Sequence, residues 1–275
     1  MALVEEDLGE LLVKSRAGDK SALDALVGAL SKPIYNIAIR MLWSPEDAED
    51  ASQEILIKVV TNLAAFHGRS LFTTWVYRLA VNYLKTYIST RKTERRRFEE
   101  QARGLAEGLG QIRPAERQGV DETLLAEEMK IGCVNGMLQC LDVNARVAYI
   151  VGDILGLSGR EAAAIQGIGE EAFRKRLSRA RRELFAFMEA NCGLVNPSRP
   201  CRCARQIDHC VTSGRIRPRR LLFAVDGRSL ELLDRLDSAE KILRLYRPNP
   251  EYDLPRPAIE ELKRVLHGEG RRSAG

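Results

Sequence analysis

The 275-residue chain is predicted to be all-α. Apolar residues recur at three- and four-residue spacing almost everywhere, no segment alternates with a period of two, and helix-start chemistry precedes several of the periodic stretches. The length exceeds that of one small domain, so two or three compact units joined by linkers are expected. A hydrophobic fraction of 45% is enough for cores of ordinary size, and a charged fraction of 29% suits a soluble protein.

In chain order, Leu8, Leu11 and Leu12, then Leu23, Leu26, Val27 and Leu30 after Asp19, mark two short amphipathic helices. Pro33 is expected to open a third, carrying Ile34, Ile37, Ala38, Met41 and Leu42. Ser44-Pro45-Glu46-Asp47 combines a hydroxyl cap, a proline where no amide partner is needed, and acids that complement the helix dipole; its helix should run to about Phe66. A further helix starts near Phe72. Residues 99–121 interleave Gly104, Gly108, Gly110, Pro114 and Gly119 with charge, which predicts a flexible linker. Helical periodicity resumes at Glu122 and ends at Cys192-Gly193. Beyond it Pro197, Pro200 and Pro218 exclude a long helix, Ser229 caps one through Leu230, Leu233, Leu236 and Leu243, and Pro257 starts the last with Ile259, Leu262, Val265 and Leu266.

These boundaries give units at 1–98, 122–191 and 192–275. The acidic start Met1-Ala2-Leu3-Val4-Glu5-Glu6-Asp7 and the lack of a long apolar run argue against a signal peptide or membrane insertion and for a cytoplasmic protein. There is no Gly-rich phosphate loop and no HExxH. The three histidines, His67, His209 and His267, have no evident nucleophile partner, so the chain is not expected to be an enzyme. A net charge of +5 and a pI of about 8.9 permit nucleic-acid binding without requiring it.

The Pro45 helix separates Ala48, Ala51, Leu56, Val59 and Leu63 from an acidic side bearing Glu46, Asp47, Glu49, Asp50, Gln53 and Glu54. After it, helical spacing puts Phe72, Val76, Leu79 and Ala80 inward and leaves Tyr77, Arg78, Asn82 and Lys85 at the surface; Trp75 is expected in the core. Rings and amides interleaved with cations suit single-stranded DNA, because bases stack on the rings while the cations hold phosphates.

A second pattern spans Leu155 to Leu184. Ser158 and Glu161 form a capping box, Ala162, Ala163 and Ile165 allow a close helix approach, and Gly167 and Gly169 supply the turn. On the following helix Phe173, Leu177, Ala180 and Leu184 form the buried stripe. Arg174, Lys175, Ser178, Arg179, Arg181 and Arg182 face outward, an arrangement that fits a recognition helix in a major groove.

Asp47-Ala48-Glu49-Asp50-Ala51-Ser52-Gln53-Glu54, with Phe72, Trp75, Arg78, Leu79, Ala80 and Asn82, resembles region 2 of bacterial RNA polymerase sigma factors of the extracytoplasmic-function class. Gly156-Leu157-Ser158 through Ala172-Phe173-Arg174-Lys175-Arg176-Leu177-Ser178-Arg179-Ala180-Arg181 is similar to sigma region 4. Thr86 and Ser89 stand where many members carry Asp and Arg, and Cys140-Leu141-Asp142 where a Leu-Pro pair is common. The resemblance covers the first two-thirds of the chain. It implies two helical domains on a flexible linker and a sigma factor that directs core polymerase to promoters. Asp47, Glu49, Asp50, Gln53 and Glu54 would dock on polymerase. Tyr77, Arg78, Asn82 and Lys85 would capture the −10 element, and Arg174, Lys175, Ser178, Arg179 and Arg182 would read the −35 element. A separate anti-sigma protein is a further expected partner. The alternative is a helix-turn-helix regulator acting without polymerase, which has no need of the acidic helix.

Six cysteines in a cytoplasmic chain favour metal or redox chemistry over structural disulfides. Cys192, Cys201, Cys203 and Cys210 could hold Zn²⁺ or another thiophilic metal, with Arg202 and Arg205 favouring the thiolates. Cys133 and Cys140, seven residues apart on a helix, are expected in the core. The resemblance implies that such a C-terminal cysteine-rich extension can sense metal or redox state and cover or release the sigma modules.

Overall fold

The computed structural model describes residues 5–91, 96–110, 119–224, 242, 245, 246 and 252–267. Among these residues there are eleven α-helices and no strand, and an isolated parallel bridge pairs Cys192 with Cys201. None of the described helices is long and apolar enough to cross a membrane. The chain divides into two compact units: Met1–Thr93 with Ser158–Phe173 and Glu251–Gly275, and Glu94–Leu157 with Arg174–Pro250. The first third of the sequence therefore shares a unit with residues 158–173 and 251–275, which differs from the expected end-to-end order of modules.

In the first unit α2 (Lys20–Leu42) is the centre, packed by α1 (Glu5–Arg16), α3 (Pro45–Thr61) and α4 (Phe72–Thr90). Leu26, Leu30, Ile34, Ile37 and Ala38 of α2 are fully buried, as are Ala51, Ile55 and Leu56 of α3 and Val76, Ala80 and Leu84 of α4. The periodicity on either side of Pro33 was expected to give two helices, but Pro33 lies inside one. Its missing N–H costs one helical hydrogen bond. The apolar faces before and after it point into the same core, and that burial outweighs the break.

The helix ends follow their sequence signals. Asp19 accepts the Ala22 N–H at 3.0 Å to start α2, and Ser44 accepts the Asp47 N–H at 3.4 Å to start α3. The Glu5 carboxylate accepts the Phe72 and Thr73 N–H groups, so α1 satisfies orphan donors at the start of α4. Helix α8 (Gly159–Gln166) packs on α4, and the last helix, α11 (Arg256–Leu266), packs on α2 and α3.

In the second unit α10 (Cys203–Thr212) packs on α5 (Phe98–Leu109) and α6 (Glu122–Leu138). The expected flexible linker at 99–121 is thus a helix over its first half. Leu105 is buried and its carbonyl accepts the buried Gln206 amide at 2.9 Å, so tertiary contacts override the glycines. Gly108 permits this closeness: a Cβ there would lie 1.8 Å from Gln206 Oε1. Residues 111–118 lie outside the described residues.

Helix α7 (Val143–Tyr149) passes into a π-type turn at Ile150–Ile154, and α9 (Glu170–Asn191) follows α8. The tail after Asn191 was expected to be irregular, yet α10 forms once Pro200 is passed. Beyond it the Glu128 carboxylate accepts the N–H groups of Leu222, Phe223 and Ala224 at 2.8–3.0 Å, fixing that stretch without a helix. The helix expected from Ser229 through Leu243 falls outside the described residues, apart from buried Ile242.

Candidate polymerase- and DNA-binding surfaces

Helix α3 sorts its residues by chemistry. Ala48, Ala51, Leu56 and Val59 are fully buried, Leu63 is buried just past the helix end, Asp50 and Glu54 are exposed, and Glu49 and Gln53 are half-buried. Asp47 is placed differently. Its carboxylate accepts the Tyr87 hydroxyl at 2.7 Å and pairs with Arg91, whose guanidinium lies 4.6 Å from the Tyr87 ring centre. The hydrogen bond from Tyr87 holds the Asp47 carboxyl below its ordinary range, although partial burial opposes the shift. Asp47 therefore ties α3 to the end of α4, and the acidic surface open to a partner is formed by Asp50 and Glu54 with the edges of Glu49 and Gln53.

On α4, Arg78 and Asn82 are exposed and Lys85 is half-buried, but Tyr77 is buried and is no surface ring. It continues the stripe of Ala80, Val81 and Leu84, one helical turn on. Trp75, expected in the core, is half-buried and stacks on Phe72 at 5.7 Å, with Phe66 closing the cluster at 5.6 Å. The half-buried ring beside Asn82 is Tyr83, 6.1 Å from Tyr87 and with the Lys58 ammonium 5.8 Å from its centre. The four-residue series Tyr83, Tyr87, Arg91 was legible in the sequence and was missed.

The local signals expected at the start and end of α8 are present. Ser158 and Glu161 complete the capping box, and Gly167 ends α8 in the left-handed region at φ +66°. On α9, Phe173, Leu177, Ala180 and Leu184 are buried, while Arg174, Lys175, Ser178, Arg179 and Arg182 are exposed. Two arginines of that side are engaged. Arg179 pairs with Asp142 at 2.7 Å and lies near Glu183, so a phosphate would have to compete for it. Arg181, expected among the outward cations, makes a two-pronged contact at 2.6 and 2.8 Å with Asp153, whose side chain is 3% exposed. Its role is to neutralise that buried carboxylate.

The cysteines gather differently from expectation. Cys192 and Cys201 are held by backbone pairing, with the Gly193 N–H donating to the Cys201 carbonyl at 2.9 Å. A Cβ at Gly193 would lie 2.4 Å from that carbonyl, which makes glycine necessary there. The Cys210 thiol lies 3.2 Å from Met129 Sδ, and its charge still reaches Cys201 and Cys133. Cys133, expected to be a plain core residue, lies close enough to Cys192, Cys203 and Cys201 for their charge to add to the upward push that burial gives its thiol. Cys140 is buried, its thiol facing the Gly136 carbonyl.

Burial also raises the Cys201 thiol and pushes Cys203 up to about 12, so Arg202 and Arg205 do not make thiolates here. Their guanidiniums donate to carbonyls instead, Arg202 to those of Pro197, Arg199 and Cys201 and Arg205 to that of Pro200. Among the described residues no three His, Cys, Asp or Glu side chains converge as a ligand set.

Similarity to known proteins agrees with this arrangement. The Sigma-70 region 2 family model matches residues 26–94, the stretch that contains α3 and α4. The RNA polymerase sigma-H factor of Pseudomonas aeruginosa is 27% identical over 179 residues, 65% of this chain and 92% of its own. The ECF RNA polymerase sigma-E factor of Escherichia coli K12 is 30% identical over 173 residues, 62% of this chain and 88% of its own. Among solved structures, the sigma factor RpoE in complex with the anti-sigma factor NepR, from Bartonella quintana, aligns with TM-score 0.40 at 24% identity, covering 58% of this chain and 92% of that one. CnrH in complex with the cytosolic domain of CnrY aligns with TM-score 0.43 at 24% identity, covering 66% and 96%. With nearly the whole of the sigma-E factor matched, the chain belongs to the extracytoplasmic-function family of RNA polymerase sigma factors.

Proposed function

We propose that the chain acts as an alternative sigma factor in the cytoplasm through three separate surfaces. Asp50 and Glu54, with the edges of Glu49 and Gln53, dock on core polymerase. Arg78, Asn82 and Lys85, with the Tyr83 ring, capture the −10 element; Arg174, Lys175, Ser178 and Arg182 read the −35 element, joined by Arg179 once it leaves Asp142. An anti-sigma protein is a further proposed partner. The observation that carries this reading is the exposed acidic surface on α3 in the same chain as the exposed polar and basic face of α9. A regulator acting on duplex DNA alone has no use for the first.

Promoter-directed transcription with purified core polymerase tests the assignment. Asp50→Lys with Glu54→Lys should abolish core binding. Arg174→Ala or Arg182→Ala should leave core binding intact and weaken transcription that depends on the −35 element about tenfold. Core binding unaffected by the α3 changes would overturn the docking assignment.

Metal control through the cysteines is a separate part of the proposal. It is supported by the donor type and by the closeness of Cys133 to Cys192, Cys201 and Cys203. Cys210 stays in the set, since its charge reaches Cys133 and Cys201. The side chains would have to converge further to bind a metal. A zinc titration read by a competing chelator should show one tight site that is lost in Cys201→Ser and Cys203→Ser; no binding by the intact chain removes this part.

A further inference from the structure

Helices α3 and α4 pack along a seam whose residues repeat at helical spacing. On α3 the seam carries Asp47, Asp50, Glu54 and Lys58, three or four residues apart, and on α4 it carries Tyr83, Tyr87 and Arg91, four apart. The two rows run in opposite directions. Asp47 meets Tyr87 and Arg91 at one end, and the Lys58 ammonium lies 5.8 Å from the Tyr83 ring centre at the other. Between them, the Glu54 and Asp50 carboxylates lie close enough to Tyr83 to add to the upward push that burial gives its hydroxyl.

The end at Asp47 is closed on itself. One carboxylate oxygen, Oδ1, accepts the Tyr87 hydroxyl at 2.7 Å and pairs with the Arg91 guanidinium, which lies 4.6 Å from the centre of the Tyr87 ring. Each of the three groups thus holds the other two. Arg91 is the C-cap of α4, at the end where a helix frays, and the carboxylate that fixes the direction of its guanidinium comes from α3.

An ion pair this open contributes little to stability: the Arg91 and Asp47 side chains are 54% and 32% exposed. Its effect is on direction. Tyr83 and Tyr87, with ring centres 6.1 Å apart, and Arg91 form a row of two rings and a cation along α4, next in sequence to exposed Asn82 and half-buried Lys85. Bases stack on such rings and on guanidinium planes while cations hold the phosphates, provided that the side chains point along the path of the strand. Groups held in that direction beforehand bind more tightly, because less ordering is left to do.

We infer that Asp47 is a positioning residue for promoter-strand capture: seated on the helix that docks polymerase, it orients Tyr87 and Arg91, which extend the strand-binding row of α4 beyond Tyr83. The inference rests on the assignment of α3 to polymerase and of α4 to the −10 element. It separates Asp47 from its neighbours Asp50 and Glu54, which face the partner. Docking of α3 then delivers α4 with its row already set.

Holoenzyme assembled from core polymerase and the full chain, on a promoter that it transcribes, tests this through permanganate oxidation of unpaired thymines in the −10 element. With polymerase saturated by the chain, Asp47→Ala and Tyr87→Ala should each lower strand opening about tenfold, within the worth of one stacked base, and leave the affinity for core polymerase unchanged. Adding Tyr87→Ala to Asp47→Ala should lose little more, because both changes act on one group. Core affinity that falls in Asp47→Ala, as a direct polymerase contact predicts, overturns the role. So does strand opening that stays at the parent level, or losses that multiply in the double variant. Failure of the −10 assignment reads out separately, as strand opening that also ignores Arg78→Ala with Asn82→Ala.

Discussion

Among single residues, Arg181 and Arg174 show why charge on a helix is not enough to assign a role. Both are exposed on the outward side of α9, yet the Arg181 guanidinium also holds the buried Asp153. The partner sits 28 residues earlier, in the π-type turn, where no local pattern announces it. Replacing Arg181 by Ala removes a two-pronged charged partner from a carboxylate that is 3% exposed, and should destabilise the chain by about 2–3 kcal/mol in urea unfolding. Arg174→Ala should stay within about 0.5 kcal/mol of the parent while lowering the salt dependence of DNA binding. Equal stability of the two variants would return Arg181 to the DNA-facing set. Tyr77 is the mirror case: helical spacing was expected to leave it at the surface, but its position extends the buried stripe by one turn, and the half-buried ring is Tyr83.

At the scale of the element, starts were more legible than ends and interruptions. Ser44, Asp19 and Ser158 cap helices through groups that lie within three residues of them, so a short window of sequence holds the whole interaction. Pro33 and the glycines of α5 misled because their local preference is opposed by contacts from far along the chain. At α5 that contact is α10, which meets it across Gly108 and through the Gln206 side chain. Gly108→Ala should push Gln206 off the Leu105 carbonyl and lower the melting temperature by an amount equivalent to about 1–3 kcal/mol. Gly110→Ala, where a Cβ meets nothing closer than 3.5 Å, should be neutral or slightly stabilising. Matching losses in the two variants would show that the effect belongs to helix propensity and not to the α5–α10 approach.

Over the whole molecule, the helices could be inferred from periodicity and capping, because each is built from contiguous sequence, but their grouping into units could not. The partnership of the C-terminal segment with α2 could not either, since nothing local links Tyr252 to Asn36. The position of α8 was equally hidden: it belongs to the first unit, packed on α4, where a Cβ at Gly167 would lie 3.8 Å from the Arg78 guanidinium. The turn after α8 thus sits beside a cation proposed to hold the −10 strand. Two proposed readers bound to one polymerase act at high effective concentration, whereas the chain alone has no second partner to hold both in place. The chain alone should therefore bind promoter duplex weakly, with little sequence preference and a steep loss on adding salt. With core polymerase, binding should become tight and require both elements, and inserting about five base pairs between them, half a helical turn, should abolish it. A gel-shift in which the chain alone binds the promoter as tightly as the polymerase complex would show that polymerase does no more than carry the chain to DNA.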